Sequence, residues 1–271
     1  MAILVLKGAI FLIGRIKVFS KAIMLGNTLK LCAALVFSLA VLLFANNLFV
    51  AAEYLFDFLC AKEAFSFLIG PFRKIGLAVA YSVCMVFSVA LISPLKLSKE
   101  IWFHETSKKN RMKLSRLFYF YRPSWFFKSV WLYFSLLCVK FLWLLLYFFP
   151  CAAMSAYLVF SLQNGISKTM LLLVSASIGI SFLSGCYFSF VTFQRYDLCY
   201  ILYYENTGIS PFETLKLSAM LMDEHCFKLA KLKLSFLPWM LSCALILPAF
   251  YVYPYYKISV SYFRNNILSN K

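Results

Sequence analysis

The sequence predicts an all-α integral membrane protein with about five transmembrane helices, together with amphipathic helices lying at the membrane surface. Three observations carry that prediction. The 271 residues are 63% hydrophobic and 14% charged, where a soluble domain carries about 25% charged residues. Apolar runs near the ~20 residues that a bilayer crossing needs recur along the chain. Basic residues outnumber acidic ones 27 to 10, and they gather between those runs in the positive-inside pattern. In a chain with a mean hydropathy of +0.82, the net charge of +17 suits orientation and anionic head groups, not nucleic acid.

Residues 1–25 carry Lys7, Arg15, Lys17 and Lys21, which fall within an arc of about 160° on a helix. This reads as an amphipathic helix on the membrane. The charges interrupt the apolar core that a signal peptide requires, and no small-residue cleavage site follows. The first span is LCAALVFSLAVLLFANNLFVA, 31–51, with Asn46 and Asn47 near its far end. The second is 76–95, closed by Pro94 and Lys96. Between them Lys62, Arg73 and Lys74 balance Glu53, Asp57 and Glu63.

Residues 96–128 form a basic, amphipathic, cytoplasmic segment with nine basic and two acidic residues. Lys108, Lys109, Arg111, Lys113 and Arg116 form its cluster, flanked by Trp102, Phe103, Phe118, Tyr119, Tyr121 and Trp125. Each basic residue near an anionic surface contributes about 1 kcal/mol. These five are the candidate contacts for anionic inner-leaflet lipid or for a membrane protein partner. No Gly-rich cradle accompanies them, as a phosphate site would need. His104 stands next to Glu105, and adjacent residues do not share a helix face, so this pair reads as interfacial.

The third apolar run is interrupted by Lys140 and Pro150. A lysine at mid-membrane costs about 2.5–3.5 kcal/mol. Reading the span as 141–161 makes Lys140 a snorkelling residue at its end and leaves Pro150 mid-helix, where neighbouring helices accommodate it. Reading it as 129–149 makes Lys140 an intramembrane charge that contacts a substrate. The fourth span is 170–193, where Ser175, Ser177, Gly179, Ser181, Ser184 and Gly185 allow close helix packing. Its helix can run on to a break at Asn206–Gly208. The last apolar stretch, 234–256, is punctuated by Pro238, Pro248 and Pro254. It is one kinked span or two short helices, which makes the total five or six.

Charge orients the chain. Residues 1–30 hold five basic and no acidic residues. With 96–128 on the same side, the N-terminus is cytoplasmic and 1–271 is a single polytopic domain of the plasma membrane.

Ser210-Pro211-Phe212-Glu213 is a strong helix start, with a capping serine, proline at the first position and glutamate closing the capping box. Leu215, Ala219, Met222, Cys226 and Leu229 then recur at helical spacing through an amphipathic helix over 210–232. On it Asp223, Glu224, His225 and Cys226 point in successive directions about 100° apart and do not converge on one ion. The nine cysteines form no CxxC pair, which argues against a disulfide framework and a cysteine zinc site. No nucleophile elbow, Walker loop or HExxH is present. The sequence therefore calls for no catalytic, cofactor or metal residues. It points to a non-enzymatic membrane component. The alternative is a permease-like subunit, resting on Asn46, Asn47, Lys140 and the proline-interrupted spans.

The segment 195–262 resembles an uncharacterised family of polytopic membrane proteins from Gram-positive bacteria, a domain of unknown function distantly like the membrane domain attached to some glycerophosphodiester phosphodiesterases. The resemblance lies in Ile209-Ser210-Pro211-Phe212-Glu213, Ser218, Met222, Leu232-Lys233-Leu234-Ser235-Phe236, Trp239 and Pro254-Tyr255, with Pro150 as the family's mid-membrane proline. Asp223 and Pro238 stand where that family carries glycine. The resemblance implies a bacterial membrane architecture and no known activity.

Overall fold

The structure, a computed structural model, describes residues 2–61, 71–108, 113–163, 165, 167–206, 208–242 and 246–269. These are 93% helix, without a strand. Helix α1 (Ala2–Leu25) and α2 (Thr28–Ala61) meet at the turn Gly26-Asn27. Helix α3 covers Pro71–Ser107, a 3-10 helix covers Leu114–Tyr121, and α4 runs Pro123–Gln163. Helix α5 (Lys168–Phe193) follows a turn at Gly165, whose φ of 78° favours glycine. A 3-10 turn, Gln194–Tyr196, leads to α6 (Cys199–Glu205) and α7 (Pro211–Met222). Another 3-10 turn, Asp223–His225, leads to α8 (Cys226–Leu234), α9 (Leu237–Ser242) and α10 (Ile246–Ser269).

Among the described residues, four stretches are long and apolar enough to cross a membrane: Thr28–Tyr54, Ala78–Ser107, Pro123–Gln163 and Lys168–Glu205. They overlap the first four spans expected from sequence. The fifth stretch, 234–256, is not one helix: α8 ends at Leu234, and α9 and α10 follow as separate helices. Prolines inside helices lack the N–H that would reach the carbonyl four residues back. At Pro94 that carbonyl, Ala90 C=O, accepts instead from Ser93 Oγ at 3.3 Å. At Pro254 it is Phe250 C=O, which accepts from Cys32 Sγ of α2 at 3.8 Å.

Contacts group the chain into two compact units. The first comprises Met1–Trp131 and Pro238–Lys271. Here α2 and α3 pack antiparallel, with Ser88 Oγ donating to Ala45 C=O at 3.3 Å and Cys84 Sγ to Leu48 C=O at 3.7 Å. Its core gathers Ile23, Met24, Leu31, Trp102, Phe103, Leu117 and Ile258, so α1, α2, α3, the 3-10 helix and α10 all contribute.

The second unit is Leu132–Leu237. Among the small residues of α5, Gly185 approaches α4 of the same chain, whereas Ser175, Gly179 and Ser184 are exposed. Tyr147 and Thr192 hydroxyls are 2.8 Å apart, and the Phe148 and Phe182 rings meet edge-on at 5.6 Å. A Cβ added at Gly185 would stand 3.1 Å from Tyr147 C=O and 3.5 Å from the Phe148 ring, whereas one at Gly179 would meet nothing within 4 Å. Gly185→Leu is therefore expected to cost about 1–3 kcal/mol through overpacking. Gly179→Ala should gain up to about 1 kcal/mol from helix propensity. Thermal unfolding in detergent micelles compares the two, and equal shifts would remove the close-approach argument.

Candidate functional site

The segment 96–128 divides in the structure. Lys108, Lys113 and Arg116 are exposed; Lys109 and Arg111 lie outside the described residues. In the 3-10 helix Leu117 and Phe120 turn into the core while Arg116, Phe118 and Tyr119 face outward. Arg122 lies over the Tyr119 ring at 5.1 Å and Lys128 over Trp125 at 5.6 Å, both within cation–π range. Tyr121 donates its hydroxyl to Leu91 C=O at 2.9 Å, and burial pushes it up to about 12. This half is the basic, aromatic surface that the sequence suggests.

The other half corrects the sequence reading. Residues 97–107 continue α3 into the core. Trp102 and Phe103 are buried, not surface aromatics, and His104 is 1% exposed, not interfacial. The reason is spacing. Glu100, His104 and Ser107 stand at i, i+4 and i+7, one face of α3. Lys257, Ser261 and Arg264 repeat that spacing on α10. The two stripes meet. Glu100 Oε2 accepts from Arg264 Nη1 at 2.5 Å, its other oxygen pairs with Lys257 Nζ, and Asn265 Nδ2 donates to Ser107 Oγ at 2.5 Å. Arg264 is 3% exposed and Glu100 9%. Each stripe stands in the sequence, but 164 positions separate Glu100 from Arg264 and nothing local pairs them.

In the second unit the chain leaves α5 at Phe193, and side chains from other helices satisfy the break. Gln194 Nε2 donates to Phe190 C=O at 2.7 Å, Ser218 Oγ to Arg195 C=O at 2.8 Å, and Trp143 Nε1 to Tyr196 hydroxyl at 2.9 Å. Lys233 Nζ reaches Gln194 Oε1 at 2.6 Å and Asp197 Oδ1 at 2.9 Å, with both charged side chains largely buried. Lys140 is half-buried, its Nζ 5.6 Å from the Phe193 ring centre, level with the last residue of α5. Asn46 and Asn47 belong to the first unit and are exposed on α2.

The capping box at α7 forms as expected: Glu213 N–H donates to Ser210 Oγ at 3.2 Å, and Ser210 N–H to the Glu213 carboxylate at 3.1 Å. Asp223 and Glu224 are exposed, and Cys226 is buried on the apolar side. Burial, then Lys228, lowers His225 despite Glu224, so its imidazole is neutral at pH about 7. Burial raises the Cys226 thiol, with Arg195 opposing and Asp223 adding to the effect. No group of three His, Cys, Asp or Glu side chains among the described residues is arranged to hold a metal ion. No family model, curated protein or solved structure matches the chain.

Proposed function

We propose that this chain is a non-enzymatic, multi-pass protein of the bacterial plasma membrane with its N-terminus in the cytoplasm. It engages anionic lipid head groups of the inner leaflet, or a membrane protein partner, through its basic aromatic segment. One observation carries this reading: exposed Lys108, Lys113, Arg116, Arg122 and Lys128 interleave with exposed Phe118, Tyr119 and Phe127. Lys108 to Arg122 lie between two stretches able to cross a membrane, and Phe127 and Lys128 lie in the first turns of the second. Aromatic rings at head-group level and cations beside them suit that interface. Helix α1, the 3-10 helix and α7 act as interfacial helices. The fifth span lies within 234–256, and the chain belongs with the uncharacterised Gram-positive family it resembles.

Lys140 on the Phe193 ring favours a snorkelling residue where α4 and α5 leave the hydrocarbon. That supports an anchor over a permease. The test is lipid selectivity around the full-length protein, read with spin-labelled phosphatidylglycerol against phosphatidylcholine. Lys108→Gln/Lys113→Gln/Arg116→Gln should lower the preference for phosphatidylglycerol by up to about 3 kcal/mol, and more so at low salt. Unchanged selectivity would overturn the lipid reading and leave a membrane protein partner as the occupant of this segment.

A further inference from the structure

In the first unit, α1, α2 and α10 leave an apolar groove of about 200 Å3, lined by Met24, Thr28, Leu31 and Cys32 and closed by Phe250, Tyr251 and Pro254. Its origin is local. Pro254 has no N–H for Phe250 C=O, and Cys32 of α2 occupies that carbonyl at 3.8 Å. Side chains around Pro254 of α10 and beside the α1–α2 turn line the space between them.

We propose that the groove holds part of one acyl chain of an anionic phospholipid whose head group rests against Lys17 and Lys21. This rests on the membrane reading above, which sets the α1–α2 turn at the inner surface. On α2 the lining of the groove starts at Thr28, where the first stretch able to cross a membrane also begins. Thr28 to Cys32 is one helical turn, about 6 Å, which is room for a length of one chain. Lys21 and Lys17 precede Met24 by three and seven positions, on the same face of α1. Tyr255, one residue past Pro254, donates its hydroxyl to Lys17 C=O at 3.2 Å, so the wall of the groove abuts the α1 turn that carries these lysines. Residues 1–30 contain no acidic side chain. An occupant must therefore be apolar along the groove and anionic at its mouth. A phospholipid with a net negative head group meets both demands; a zwitterionic one meets only the first.

The test uses the full-length protein, passed through nanodiscs of equal phosphatidylglycerol and phosphatidylcholine and released into mild detergent for native mass spectrometry. One retained phosphatidylglycerol is expected. Thr28→Trp, which fills the groove from its exposed rim, should cut occupancy at least tenfold. Lys17→Gln/Lys21→Gln keeps the groove and should retain phosphatidylcholine as readily as phosphatidylglycerol. The proposal falls if Thr28→Trp retains lipid at wild-type occupancy. It also falls if the wild type retains a detergent, a peptide or no phospholipid, or if the double-lysine variant keeps the wild-type preference. Lys108→Gln/Lys113→Gln/Arg116→Gln should leave the retained lipid in place, so loss of the groove site and loss of the basic-segment contact are separate outcomes.

Discussion

Glu100→Gln is expected to destabilise the protein by about 3–5 kcal/mol, the usual cost of removing one partner from a buried ion pair. The carboxylate is the shared anion for two cations, Lys257 and Arg264, both on α10. Without it both remain in the interior, and neither gains a replacement from the amide. The effect also has a sign in pH. Burial alone would lower Lys257, but the Glu100 carboxylate overrides burial and raises it. A raised lysine contributes its stability in full below the unfolded value of about 10.4 and loses it only as pH climbs through the raised value. Wild-type stability should therefore be flat in this respect between about pH 7 and about pH 9. In Glu100→Gln the lift is gone and burial dominates, so the unfolded state binds the proton more tightly and stability rises with pH. Thermal unfolding in detergent, followed by loss of the monodisperse peak at both pH values, reads both effects. A loss under about 1 kcal/mol would mean that water reaches the cluster and screens it.

That cluster also marks where sequence reading succeeds and stops. Apolar run length found four stretches, because the need to satisfy every backbone group in lipid imposes a long, uninterrupted pattern. Local chemistry found the α7 capping box, since Ser210 and Glu213 are three residues apart. Glu100 and Arg264 are 164 positions apart, and nothing local announces their meeting. Taken singly, Glu100 reads as one acid in a basic segment and His104 as a surface residue. Only the matched i, i+4, i+7 stripes on α3 and α10 reveal that both faces turn inward. The same limit applied to α5. Its small residues announced close packing, but only the fold identifies Gly185 as the point of approach and Tyr147 as the partner. For Lys140 the cost of a buried charge favours a span end over a span centre in the sequence, while the apolar helix Pro123–Gln163 runs past it on both sides. The seat of Lys140 on the Phe193 ring depends on where α5 stops, which no residue of α4 encodes.

Asp197→Leu and Lys233→Met are each expected to cost about 3–5 kcal/mol, and the double substitution much less than their sum. Lys233 reaches into the break after α5, where it binds both Asp197 and the Gln194 side chain that caps Phe190 C=O. Removing the lysine leaves Asp197 largely buried without its ion-pair partner, and Gln194 loses its donor. Removing the aspartate leaves a largely buried ammonium that has lost its carboxylate partner. In the double variant two apolar side chains face each other, so the desolvation cost vanishes together with the attraction, as for other buried pairs. The pair differs from Arg195–Asp223, whose side chains are 43% and 62% exposed and whose loss should cost no more than about 1 kcal/mol. A double-mutant cycle on thermal unfolding measures the difference. A coupling energy near zero for Asp197–Lys233 would mean that the α5 break is held by the neutral hydrogen bonds of Gln194, Ser218 and Trp143, with the charges incidental to it.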